Sequence, residues 1–106
     1  MLLEELINEL DIIDRRNYEE NLDIKGIAYH SARVKSDYIY VAIKGYITDG
    51  HKYINQAVHN GAIAVIVEDF VDSISIPQIK VSNSREALSI ISDEFYESPS
   101  KNMRVI

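Results

Sequence analysis

Two uninterrupted apolar runs, Ile39-Tyr40-Val41-Ala42-Ile43 and Ala62-Ile63-Ala64-Val65-Ile66-Val67, constrain this chain more than any other feature. Both are short, rich in β-branched residues and apolar at every position, the pattern of strands covered on both faces. Between them Ile54, Ala57 and Val58 fall at i, i+3 and i+4, which predicts a helix from about Gly50 to Asn60. Asp49 is placed to cap its start, and Asn60-Gly61 to end it in a left-handed turn. Strand, helix and strand make a βαβ unit, and with it a parallel pair joined by a right-handed crossover.

The rest of the chain fits around that unit. Leu3, Leu6, Ile7 and Leu10 recur at helical spacing, so residues 2–10 read as a short amphipathic helix. Residues 11–23 are polar and acidic and read as a connector. Residues 24–29, punctuated by Gly26, read as a short strand, and Gln78-Ile79-Lys80-Val81 as another after a loop over 68–77. Asn83 with Glu86 resembles a capping box. Ala87, Leu88, Ile91 and Phe95 line one face of the helix that follows, which Ser98-Pro99-Ser100 is expected to end. Met103-Arg104-Val105-Ile106 reads as the start of a further strand. The expected fold class is α/β: a small mixed, partly parallel sheet with a βαβ unit and flanking helices.

Composition narrows the function. A chain of 106 residues is one domain by length and buries roughly 65% of its unfolded surface. Its 46% hydrophobic and 26% charged residues are those of a globular protein. The 17 acidic residues against 11 basic ones argue against a general nucleic-acid or anionic-membrane surface. No run approaches the roughly 20 apolar residues of a membrane helix, and Glu4-Glu5 stand where a signal peptide carries basic residues, so a cytoplasmic location is expected. With no cysteine, disulfides, zinc–thiolate sites and thiol catalysis are excluded.

No catalytic or metal motif emerges. Glu4, Glu5 and Glu9, like Asp93, Glu94 and Glu97, read as solvated helix faces. The histidines, His30, His51 and His59, match no metal-ligand spacing, and His59 is placed to complement a helix C-terminus. Neither Gly-x-x-x-x-Gly-Lys-Ser/Thr nor Gly-x-Gly-x-x-Gly occurs, so the usual loop for a nucleotide triphosphate is missing. Charge is more telling. Between Tyr29 and Lys52, Arg33, Lys35, Lys44 and Lys52 outnumber Asp37 and Asp49, giving an acidic chain one basic segment. Within it Lys44-Gly45-Tyr46-Ile47-Thr48-Asp49-Gly50-His51 joins the carboxyl end of a parallel strand to a helix, where open α/β sheets bind ligands. Asp49 is assigned to capping, and the loop from Gly45 to Thr48 is the candidate ligand contact.

A resemblance sharpens this. Gly26-Ile27-Ala28-Tyr29-His30-Ser31, Val34-Lys35, the run from Ile39 to Tyr46, and Thr48-Asp49-Gly50-His51-Lys52-Tyr53-Ile54 resemble the N-terminal domain of the Mur ligases. So do Gly61-Ala62, Ala64 to Glu68, Asn83-Ser84-Arg85-Glu86-Ala87-Leu88 and Phe95-Tyr96-Glu97-Ser98-Pro99-Ser100. The Phe-Tyr-x-x-Pro-Ser ending is most similar to the family member that adds the third residue of the peptidoglycan stem peptide. The resemblance implies an N-terminal helix and connector over 1–23, a domain over 24–102 that anchors the UDP part of a UDP-N-acetylmuramoyl-dipeptide, and the start of an ATP-binding domain at 103–106. It implies ATP and magnesium for the parent enzyme, bound in a central domain, and no cofactor or catalytic group in these residues. It places uridine-contacting segments on Tyr29, Ser31, Tyr46, Ile47 and Thr48. Ser31 suits that role, since a hydroxyl both donates to and accepts from uracil or phosphate. The partners implied are the UDP-N-acetylmuramoyl-peptide and the remaining domains, with neither nucleic acid nor membrane.

The chain departs from the pattern twice. His30-Ser31-Ala32 stands where the family often has Asp-Ser-Arg, with Arg33 one position later. Asp37 replaces a customary glycine before the second strand and is able to hold a left-handed turn. The alternatives are the related ligase that adds the terminal dipeptide, or a stand-alone α/β interaction module without a nucleotide ligand. A phospho-acceptor domain of flavodoxin-like fold predicts acids at the end of the first strand, where this chain has His30 and Ser31.

Overall fold

The computed structural model describes residues 1–19, 21–45 and 49–103. Their centre is one five-stranded sheet in the order β1-β5-β4-β3-β2. The strands are β1 (Ile12–Arg16), β2 (Gly26–Ala28), β3 (Tyr38–Val41), β4 (Ala62–Val67) and β5 (Gln78–Val81). Strands β2 to β5 run parallel, and β1 pairs antiparallel with β5 at the far edge. The sheet is therefore mixed and mostly parallel, as the apolar runs require.

Alternation along the strands divides the core between two faces. Ile39, Val41, Ala64, Ile66, Ile79 and Val81 point to one face. There they meet Leu3 and Leu6 of α1 (Leu3–Leu6) and Ala87 and Ile91 of α3 (Ser84–Met103). Tyr40, Ala42, Val65 and Val67 point to the other face, against Ile54 and Ala57 of α2 (Ile54–His59). Ala62 shares that second face with Val65 because the β3–β4 register shifts between Tyr38 and Ile39.

Four elements differ from expectation. Residues 11–23, expected as a connector, contain β1, whose Ile13 to Arg16 are exposed on an edge strand and so lack an apolar signature. The first helix is a single α-turn, since Leu2, Asp23 and Ile24 tie the opening residues to the chain ahead of β2. The helix expected from Gly50 to Asn60 begins as a 3-10 turn over Gly50–Tyr53, and α2 is only the remainder. Finally, α3 continues through Ser98-Pro99-Ser100 to Met103, because proline keeps a helical φ and forgoes one hydrogen bond. Met103 thus closes a helix rather than opening a strand, and residues 104–106 lie outside the described residues.

Two turns place the strand ends. Asp37 sits at φ 66°, the left-handed conformation expected of it, just before β3. Gly61 sits at φ 123° just before β4, and a Cβ there would lie 2.7 Å from the Ser36 Cα.

Candidate functional site

Because β2 to β5 are parallel, the segments leaving β2, β3, β4 and β5 all emerge at one edge of the sheet. Between them lies an open cleft of about 710 Å³. The β2 exit supplies Tyr29, His30, Ser31 and Ala32; the β3 exit supplies Ile43, Gly45, Gly50 and Tyr53; the start of α3 supplies Arg85 and Leu88. Tyr40 contributes from within β3.

The β2 exit is held from outside the cleft. The Ser31 hydroxyl donates to Gln56 Oε1 at 3.1 Å, and the Asn60 amide donates to the Ser31 carbonyl at 2.8 Å. Helix α2 therefore fixes the turn that carries Tyr29 and His30. These two rings pack at a tilt of 39° with centroids 4.6 Å apart, and Tyr29 is 52% exposed at the cleft.

The β3 exit folds back on itself. The Gly50 N–H donates to the Ile43 carbonyl at 2.8 Å, and an isolated antiparallel bridge joins Lys44 to Asp49. A Cβ at Gly50 would lie 2.7 Å from the Ile43 nitrogen, so the close approach requires glycine. The Tyr40 hydroxyl donates to the Gly50 carbonyl at 2.9 Å. Burial, with the Asp49 charge and Tyr53 nearby, pushes that phenol up to about 12, so it stays a donor.

Asp49 caps the 3-10 turn as expected, accepting from the His51 N–H at 2.9 Å. It also accepts from the His51 ring at 2.7 Å through Nδ1. Burial raises the Asp49 carboxyl, but the main-chain and ring bonds from His51 outweigh it and hold the group below its ordinary value. His51 Nε2 in turn accepts from the main-chain N–H groups of Glu68 at 3.0 Å and Asp69 at 3.3 Å. These bonds assign the ring as neutral, with its proton on Nδ1. The ring thus fastens the β3 exit to the β4 exit.

Glu68 carries the linkage on to α3. Its Oε2 accepts from both the main-chain N–H and the hydroxyl of Ser84 at 2.8 Å. Asn83 Oδ1 accepts from the Glu86 N–H at 3.1 Å, the forward arm of the expected capping box. The next residue after the buried Ser84 is Arg85, exposed and facing the cleft. Across the β3 exit, Lys44 is engaged by Asp69 at 2.6 Å.

Of the residues expected to contact a ligand, Tyr29 and Ser31 line the cleft together, and Tyr46, Ile47 and Thr48 lie outside the described residues. Gly45 and Asp49, which flank them, are at the cleft and beside it. Sequence reasoning missed Tyr40, Tyr53 and Arg85 as cleft residues and His51 as a fastener. The cleft gathers them from separate stretches of the chain, and only an alternation count, which turns Tyr40 toward the α2 face, offered a local clue. Among the described residues, no group of three His, Asp or Glu side chains converges to hold a metal ion. None of their helices is long and apolar enough to cross a membrane.

A mostly parallel sheet with a cleft at its carboxyl edge is the arrangement in which open α/β domains hold ligands. A family model described as "Mur ligase family, catalytic domain" matches residues 23–96. A UDP-N-acetylmuramoyl-L-alanyl-D-glutamate--2,6-diaminopimelate ligase from Clostridium acetobutylicum is 43% identical, over all of this chain and 22% of its own length. The ligase of that name from Clostridioides difficile is 40% identical, over all of this chain and 22% of its own length. Among solved structures, MurF from Acinetobacter baumannii superposes with a TM-score of 0.74 at 27% identity, covering 86% of this chain and 20% of that one. The chain belongs to the Mur ligase family. It spans about a fifth of the length of the relatives it matches.

Proposed function

We propose that this domain anchors the UDP end of a UDP-N-acetylmuramoyl-dipeptide for a peptidoglycan-precursor ligase of the cytoplasm. The observation that carries the reading is the cleft at the carboxyl edge of β2 and β3, where Tyr29, Ser31, Gly45 and Gly50 meet. Tyrosine faces suit a pyrimidine, and the Ser31 hydroxyl, which donates to Gln56, keeps lone pairs that can accept from the uracil N–H. Tyr46, Ile47 and Thr48 complete the proposed contact from the segment between Gly45 and Asp49. Anchoring the remote nucleotide holds the reacting carboxylate in place for chemistry elsewhere.

The finer reading is the ligase that adds the third stem-peptide residue. It is supported by relatives whose names specify the UDP-N-acetylmuramoyl-L-alanyl-D-glutamate acceptor, at 43% and 40% identity over the whole chain. The ATP and magnesium that such an enzyme uses are assigned to its central domain. The present residues carry no phosphate loop, and their part is to bind and orient.

Isothermal titration of the chain with UDP-N-acetylmuramoyl-L-alanyl-D-glutamate tests the reading. The unsubstituted protein is expected to bind. The double variant Ser31→Ala with Thr48→Ala is expected to bind at least about tenfold more weakly, the loss of one or two ligand hydrogen bonds. Equal affinity of the two proteins, or no binding by either, would favour an interaction module that keeps the fold without the nucleotide.

A further inference from the structure

We propose that Arg85 is the anion-recognising residue of the cleft and takes the diphosphate of its ligand. The proposal rests on the uridine-diphosphate reading above and adds to it the residue that distinguishes a nucleoside diphosphate from the bare nucleoside. Among the described residues, those lining the cleft include one arginine and no carboxylate. This is unusual for a chain with 17 acidic residues against 11 basic.

Several of the nearby ionisable groups are already engaged. Lys44 pairs with Asp69 at 2.6 Å. Asp49 is bonded to His51, and the Glu68 carboxylate to Ser84. Arg85 has no ion-pair partner among the described residues; Arg33 and Lys52 share this, but of the three only Arg85 is among the residues that line the cleft.

The start of α3 does not itself offer an anion site. Its main-chain N–H groups at Ser84 and Glu86 are already satisfied by Glu68 and Asn83. What remains toward the cleft is the guanidinium, whose planar fork of donors matches two phosphate oxygens. The same capping bonds hold the first turn of α3, and thus the backbone of Arg85, against the β4 exit. His51 holds the β3 exit to the same point. The aromatic pair Tyr29–His30 and the cation therefore stand on walls of one cleft, each braced by its own hydrogen bonds. A base at one wall and a diphosphate at the other is the arrangement this division of chemistry fits.

The test compares uridine, UDP and inorganic pyrophosphate against the unsubstituted chain, Arg85→Gln and Arg85→Lys. Binding is followed by calorimetry and by the Arg85 side-chain Nε–H resonance. Thermal unfolding confirms that each variant folds. Arg85→Gln is expected to weaken UDP about ten- to a hundredfold and leave uridine within about twofold, with Arg85→Lys between. Pyrophosphate is expected to shift the Nε–H signal and to lose its binding in Arg85→Gln. If UDP binds and Arg85→Gln leaves its affinity unchanged, or weakens uridine equally, the assignment of Arg85 is overturned while the uridine-diphosphate reading stands. If uridine and UDP fail to bind but pyrophosphate still moves the Arg85 signal, the nucleotide reading falls and the anion site survives. An Arg85 signal unmoved by both UDP and pyrophosphate overturns the proposal.

Discussion

At Tyr40 a phenol is carried into the core so that its hydroxyl can reach the loop that shapes the cleft. The side chain is 1% exposed, and its hydroxyl donates to the Gly50 carbonyl at 2.9 Å. Burial, then the Asp49 charge and Tyr53, raise its ionisation from 10.0 to about 12. The folded state therefore holds this proton more tightly than the unfolded chain. The stability it contributes is complete below pH 10 and is lost as pH rises through about 12. Tyr40→Phe is expected to cost about 1 kcal/mol at neutral pH, the value of one hydrogen bond. It is also expected to remove a step near pH 12 from the tyrosinate absorbance titration and to flatten the fall in urea stability above pH 10. Identical alkaline titrations for the two proteins would contradict this account of Tyr40. Asp37 teaches a different lesson at the same scale. Its left-handed φ of 66° was readable from the sequence, because short polar side chains tolerate that conformation and the position opens a strand.

Among the elements, β3 and β4 were legible and β1 was not, for one physical reason. Strands covered on both faces must be apolar throughout, so β4 shows its bounds in composition alone. Strand β1 lies at the sheet edge with Asp14, Arg15 and Arg16 exposed, and its place is set by its pairing to β5, which no local pattern encodes. The start of α3 combines both cases. The Asn83 cap was legible at short range. Glu68, 16 residues earlier, satisfies Ser84 N–H and Oγ and was not. Glu68→Ala strips both bonds from a fully buried serine. A loss of about 1–3 kcal/mol follows from a lost cap and unsatisfied buried groups. Urea unfolding measures it, and hydrogen exchange should rise first in the opening turn of α3. Unchanged stability with unchanged exchange there would show that Glu68 does not brace the helix.

Over the whole molecule, the parallel sheet decides where function can reside. It brings the exits of β2 to β5 to one edge, so residues from Tyr29 to Leu88 share a cleft. The sequence placed Tyr29 and Ser31 there through a family resemblance and the strand-end rule. It did not disclose Tyr53 or Arg85, since neither a helix-start tyrosine nor an exposed arginine carries a local sign of the wall it faces. The most direct measurement of the central claim is amide chemical-shift mapping of the 106-residue chain during titration with UDP. The account predicts shifts concentrated at Tyr29 to Ala32, Gly45 to Tyr53 and Arg85 to Leu88, with β1 and the rest of α3 unmoved. An unperturbed spectrum at saturating UDP, or shifts gathered on the β1 edge, would contradict it.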